Sequence, residues 1–244
     1  MNNDSYVLGQ LQNLVPLCKN QNTKIYLQSG ANLRALQIKE IKFLLTDLVD
    51  KYTEKEIDIY SLCQINININ YFYINIFGAL DNFAWAIQHE LSVIEGAQES
   101  NSKKHKISLF KKDFLEELKK IDDEFHNSIL DYKDWHDELK LLRDPAAHRL
   151  PMYCPPRIIT TSTEFQDYAV QNDRYSKTTT SESSINELKK LSKIGKFEPI
   201  FLHTDEFNNS TNYHILKTIT ADYEPFWSIA NFVSNMLMKN LTNN

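Results

Sequence analysis

Apolar residues recur at intervals of three and four along most of this chain. Leu33, Leu36, Ile38, Ile41, Leu44, Leu45 and Leu48 follow that rhythm and predict a helix from Ala31 onward. The strongest run spans residues 57 to 95, where Leu62, Ile65, Ile69, Phe72, Ile76, Leu80, Phe83, Ile87, Leu91 and Ile94 each follow the last by three or four. A second stripe of Ile74, Phe77, Ala84 and Trp85 widens the apolar face, as expected of a helix central to a bundle. Within this run Ile65-Asn-Ile-Asn-Ile-Asn70 alternates as a strand would. The helical rhythm continues on both sides of it, so a helix is predicted throughout. The alternative is a helix beginning near Tyr71.

The remaining segments are shorter. A helix is expected over 5–18, ending near Pro16, followed by a polar loop or extended piece over 21–30. Residues 96–106 read as a connection. An amphipathic helix is expected over 112–130 with Phe114, Leu118, Ile121 and Phe125 inward, and another over 134–142. Asp144 and Pro145 then have the chemistry of an N-cap and a first helical residue, predicting a new helical turn that carries His148 and stops before Pro151. The region 157–196 is the least patterned, with a Ser/Thr-rich loop expected over 176–184 and a short helix over 184–191. Alternation in 197–203 and 213–220, around the turn-like Asp205-Glu-Phe-Asn-Asn-Ser210, predicts a hairpin. The last helix is expected over 222–241, with Phe226, Ile229, Phe232, Val233, Met236 and Leu237 buried. No repeat or boundary is visible. The fold class is therefore mainly all-α, a single domain over 1–244 with an irregular, partly β insertion at 157–220.

Composition narrows this further. Only 5 glycines and 7 prolines in 244 residues favour long helices over many short strands. A net charge of −5 means that any RNA or DNA must be met by a local patch. Lys103-Lys-His-Lys106, Lys111-Lys112 and Lys119-Lys120 read either as such a patch or as solvated helix faces. Cysteines at 18, 63 and 154 form no CxxC pair, and the start shows no secretory pattern, so a cytoplasmic protein is expected. The apolar stretch 71–87 is interrupted by Asn75, Asp81 and Asn82, which suits a buried helix and not a membrane span.

The densest chemistry lies in Glu138-Leu-Lys-Leu-Leu-Arg143-Asp144-Pro-Ala-Ala-His148-Arg149. Arg143 stands at the edge of an apolar stripe, where a guanidinium can lie half buried. A restarted helix would offer free backbone N–H groups near His148, favouring an anion. An Arg fork suits a phosphate and an imidazole exchanges protons near neutrality, which together suit RNA phosphodiester cleavage. The structural alternative is that Arg143 pairs with Glu138 or Asp144 and that Asp144 only caps. Asp81 and Asn82 interrupt the central helix. Either would orient Arg143 or His148, or else bond a loop backbone. Asp123-x-x-His126 and His89-Glu90 are the nearest approaches to a carboxylate metal site, and only the first has the required spacing. No metal or other cofactor is expected. The other histidines, His105, His136, His203 and His214 among them, read as surface or capping groups.

Arg143, Asp144 and His148 match, in order and spacing, the Arg-polar-x3-His signature of HEPN domains, which this segment resembles. Glu138 and Arg143 are also in register with a Glu and an Arg of some members, although Leu142 stands in place of a Lys. Leu150 stands where certain members have a Tyr. Phe77-Gly-Ala-Leu-Asp-Asn-Phe-Ala-Trp-Ala86 and His148-Arg-Leu-Pro-Met-Tyr-Cys-Pro-Pro156 are similar to HEPN-like bacterial sequences, and the likeness covers 57–156 best. The resemblance implies an up-and-down helical bundle and a metal-independent endoribonuclease with Arg143 and His148 catalytic. It also implies a homodimer that brings two such pairs together, and a role in toxin–antitoxin or antiphage systems with an antitoxin or other protein partner. Many HEPN relatives keep the fold without the activity. The alternative function is a non-catalytic module that binds a partner protein or nucleic acid.

Overall fold

The computed structural model describes residues 3–97, 100–148, 151–204 and 210–242, with the side chains at 3, 145–148 and 204 outside the description. The elements are α1 (Asn3–Leu14), α2 (Gln21–Ile25), α3 (Leu33–Tyr52), α4 (Ile59–Leu91), α5 (Asn101–Lys104), α6 (Lys112–Ile121), α7 (Asp123–Leu130), α8 (Lys133–His148), α9 (Ser162–Ser176), α10 (Ser181–Leu191), β1 (Ile200–Thr204), β2 (Ser210–His214) and α11 (Ile215–Thr242). A 3-10 turn, Val15–Leu17, follows α1, and a π-helical stretch, Tyr26–Asn32, joins α2 to α3. The fold is mainly α-helical, with one small β-hairpin before the C-terminal helix.

The chain divides into two compact units, one of Met1–Phe43, Asn70–Pro151 and Lys217–Asn244, the other of Leu44–Ile69 and Met152–Leu216. In the first, Phe72, Tyr73, Phe83, Phe114, Phe226 and Trp227 form the bulk of the core. Several polar groups inside it are paired: Tyr73 Oη and Trp135 Nε1 each donate to Asp222, both at 3.0 Å, and Tyr223 Oη donates to Asp4 at 2.7 Å. Such pairing offsets the cost of removing polar groups from water. In the second unit Leu45, Ile65, Ile69, Cys154, Phe197 and Phe201 are buried. There Asn66 Oδ1 accepts from the Cys154 amide at 2.6 Å.

The central helix runs unbroken through Ile65–Asn70. Ile65 and Ile69 are buried while Ile67 is 66% exposed, a pattern that fits a 3.6-residue period and not a two-residue one.

Five expectations are corrected. Residues 21–30 are helical, because Asn20 caps α2 through the Asn22 amide at 2.8 Å and only Thr23 and Leu27 face inward. The helix expected over 112–130 is broken at Asp122, which has φ −151° and accepts from the Phe125 amide. Conversely, α8 passes through Asp144 and position 145 without interruption, so Asp144 is a helix-interior residue and no restart places His148. The loop expected over 176–184 shrinks to 177–180: the expected short helix α10 starts three residues early, at Ser181, and an unexpected helix, α9, precedes the loop, each opened by a capping box, Thr161 with Glu164 for α9 and Thr180 with Ser183 for α10. The hairpin pairs Ile200–Thr204 with Ser210–His214, and α11 already begins at Ile215. Ile215, Ile219, Tyr223 and Phe226 are buried at helical spacing there. The turn expected over Asp205–Asn209 lies outside the described residues.

Candidate functional site

Within the first unit, α4 and α8 build a mixed aromatic and charged face. Phe77 and Asp81 stand one turn apart on α4. On α8, His136 and Arg143 are separated by two turns, about 700°, and so share a face. The Arg143 guanidinium lies over the Phe77 ring at 5.4 Å from its centroid and donates to Asp144 Oδ1 at 3.0 Å. His136 stacks on Phe110, with centroids 4.1 Å apart and planes 15° apart. Its ring also leans on Phe77 at 5.2 Å.

Arg34 of α3 reaches the same stretch of α4. Its Nη1 donates to Asn75 Oδ1 at 3.1 Å, and the fully buried Asn75 donates in turn to the Tyr71 carbonyl at 2.9 Å. The guanidinium lies against Gly78, where a Cβ would come within 2.5 Å of Arg34 Cζ. Glycine therefore permits a cation to approach the α4 backbone closely, where an added Cβ would displace the guanidinium.

Asp81 is the electrostatic focus of this face. Crowding by protein atoms raises its pKa, and the positive charges of Arg143, Arg34 and Lys111 oppose that rise without cancelling it. Burial holds His136 below the ordinary imidazole range. A hydrogen bond to the Asp137 carboxylate works against this, and Lys133 and Lys140 add to the lowering. Three positive charges thus bear on the exposed Asp81 in a chain of net charge −5.

The residues expected at a site are distributed unequally. Arg143, Asp144 and Asp81 come together. Asn82 is half buried on another side of α4, against Gly30. Its Oδ1 has no hydrogen-bond partner among the described residues. Glu138 is exposed, and its charge bears on Asp222. His148 ends α8, and its side chain lies outside the described residues. Five helical residues span about 500°, so position 148 is rotated about 140° from Arg143 around the α8 axis. Arg34 carries no expectation in the sequence, and His136, Phe77 and Lys111 are read there as a surface histidine, a stripe residue and part of a lysine patch, not as members of this face. The seven-residue spacing of His136 and Arg143, with a lone glycine inside a long helix, was the available signal.

Other chemistry is engaged elsewhere. Glu90 accepts from the Lys19 and Asn20 amides at 2.7 and 3.1 Å. His89 stacks on Tyr26, and its ring is tilted against Trp85. Asp123 is exposed, His126 is half-buried, and the two share Asn127 as a hydrogen-bond partner. Among the described residues, no group of three His, Cys, Asp or Glu side chains could hold a metal ion. In the lysine-rich segments Lys106 pairs with Asp113 and Lys120 with Glu117, both at 2.7 Å. Burial pushes the Cys18 and Cys154 thiols up to about 11 and about 12. Among the described residues no helix is long and apolar enough to cross a membrane. Comparison of the chain with protein-family models, with curated proteins and with solved structures found no match in any of the three.

Proposed function

We propose that the chain is a metal-independent endoribonuclease of HEPN type, cytoplasmic and homodimeric, serving a toxin–antitoxin or antiphage system. The observation that carries this reading is the convergence of Arg143, Arg34 and Lys111 on Asp81 beside Phe77. Three cations against the carboxylates of Asp81 and Asp144 leave a net positive field suited to a phosphodiester, and an aromatic face suits an unstacked base. In the reaction the RNA 2′-hydroxyl loses its proton to His148 and its oxygen attacks phosphorus. The P–O5′ bond breaks and the departing oxygen takes a proton from His148 of the second copy of the chain. Arg143 holds the charge that builds on the phosphoryl oxygens.

A second reading is favoured by Arg143 being already bound to Asp144 and laid on Phe77. A guanidinium engaged in this way serves a module that binds RNA or protein without cutting. Incubation of RNA with wild type and with Arg143→Ala and His148→Ala variants, in the presence of a chelator, separates the two. Cleavage that survives chelation and falls by roughly 10²-fold or more in each variant is expected. RNA binding without cleavage, weakened in Arg143→Ala, selects the binding module. Undiminished cleavage in both variants overturns the assignment of the site.

A further inference from the structure

The paired helices α9 and α10 present an unmatched surface. Among the described residues α9 buries only Gln171 and α10 only Leu191. The Gln171 amide bonds to Glu187 across the pair. The apolar side chains are on the outside: Phe165 is 66% exposed, Val170 54%, Ile185 53% and Leu188 47%. Helices of this length are marginal in water and draw their stability from a packed apolar face. Here most of that face is open.

The charge on α10 says what fits it. Glu182 lies in its first turn and Lys189 in its last, both exposed. Among the described residues neither makes an ion pair within the chain, whereas Lys190 is held by Glu187 at 2.6 Å. Glu182, Ile185 and Lys189 lie within about 60° of one another around the helix axis. This makes a stripe with an acid at one end, an apolar residue in the middle and a base at the other end. A parallel neighbour of the same kind would set like charges together. An antiparallel one sets acid against base.

We propose that α10 packs antiparallel against α10 of a second copy of the chain, about a two-fold axis near Ile185 and Asn186. The two α9–α10 hairpins then form a four-helix bundle. Glu182 meets Lys189 of the second copy, and the reverse contact follows by symmetry. Ile185 lies next to its counterpart. Leu188 falls at the level of Ser183 of the second copy, where a small residue leaves room. Phe165, one turn from Ala169 on α9, widens the apolar contact. This interface stands independently of the ribonuclease reading, since it uses none of the residues around Asp81.

Sedimentation velocity on the full chain tests it, with circular dichroism as the check on folding. Wild type is expected to sediment as an assembly of twice the mass of Ile185→Asp, the variant keeping an unchanged helical signal. Each charge contact occurs twice across a two-fold axis, so E182K and K189E are each expected to weaken association by roughly tenfold. The E182K/K189E double variant, which exchanges the two charges, is expected to restore it. These variants change only exposed side chains, so loss of fold does not obscure the result. The proposal is overturned by any of three outcomes. One is a wild type that stays monomeric at about 100 μM. Another is a dimer indifferent to Ile185→Asp, which places the interface elsewhere. The third is a double variant no tighter than the singles, which points to a different partner or a parallel arrangement.

Discussion

Gly78 shows how one missing side chain organises a site. In a helix interior an alanine is ordinarily better than a glycine by about 1 kcal/mol. A Cβ here would sit 2.5 Å from Arg34 Cζ and 2.6 Å from Nη1, so Arg34 must withdraw. Withdrawal breaks its bond to the fully buried Asn75, whose oxygen is then left without that donor. An orphaned buried acceptor costs about 1–3 kcal/mol, which exceeds the gain in helix propensity. Gly78→Ala is therefore expected to destabilise the wild type by about 1 kcal/mol. In an Arg34→Ala background the same change should stabilise by about 1 kcal/mol, since only propensity remains. Urea denaturation of the four proteins measures the cycle. The same sign in both backgrounds would show that Arg34 does not depend on Gly78.

Two aspartates compare what a cap does for an element. Asp122 separates α6 from α7, accepts from the Phe125 amide at 3.0 Å and is held by Lys239 of α11 at 3.0 Å. Asp144 lies inside α8 and bonds only its neighbour Arg143 among the described residues. Asp122→Ala is expected to cost about 1–2 kcal/mol and Asp144→Ala no more than about 0.5 kcal/mol, read from thermal or urea unfolding. Equal losses would mean that α8 restarts at Asp144 after all. From sequence the two were read the other way round. A proline after Asp144 mimics the signature of a helix start, while the apolar rhythm of Phe114, Leu118, Ile121 and Phe125 runs on across Asp122. Periodicity reports which face is buried and is blind to a break that preserves it. For the same reason α3, α4 and the body of α11 were legible, each having a broad buried stripe. α9 was not, and α10 was legible only from position 184, because these helices bury one residue each and are specified by their caps at Thr161 and Thr180. Of the site, Arg143 and Asp81 were legible as a charge beside an apolar stripe and a charge interrupting one. Arg34 and Lys111 come from distant segments, and their convergence is a property of packing alone.

At the scale of the molecule, the first unit carries two histidines in aromatic settings with opposite consequences on the two sides of neutrality. His89 lies beside Tyr26 and Trp85, and His136 between Phe110 and Phe77. Burial lowers the pKa of both below 6.5, and for His136 it outweighs the pull of Asp137. A lowered imidazole contributes stability that is fully present above its unfolded pKa and is lost as the pH falls through that value toward the folded one. The raised carboxylates Asp81 and Asp222 act in the opposite sense, favouring the fold as they take up protons. Asp4 and Asp122 are net lowered, burial being outweighed by Tyr223 and Ser5 for the first and by the Phe125 amide and Lys239 for the second, and their contribution is lost only as carboxylates protonate. Between about pH 7.5 and about pH 5.5 the two histidines therefore set the sign, and the Tm is expected to fall. Phenylalanine keeps the stacking and cannot protonate, so His89→Phe and His136→Phe should each flatten that fall, and the double variant should flatten it most. Calorimetry across this window measures the slope, and a double variant with the slope of the wild type would locate the titrating groups elsewhere.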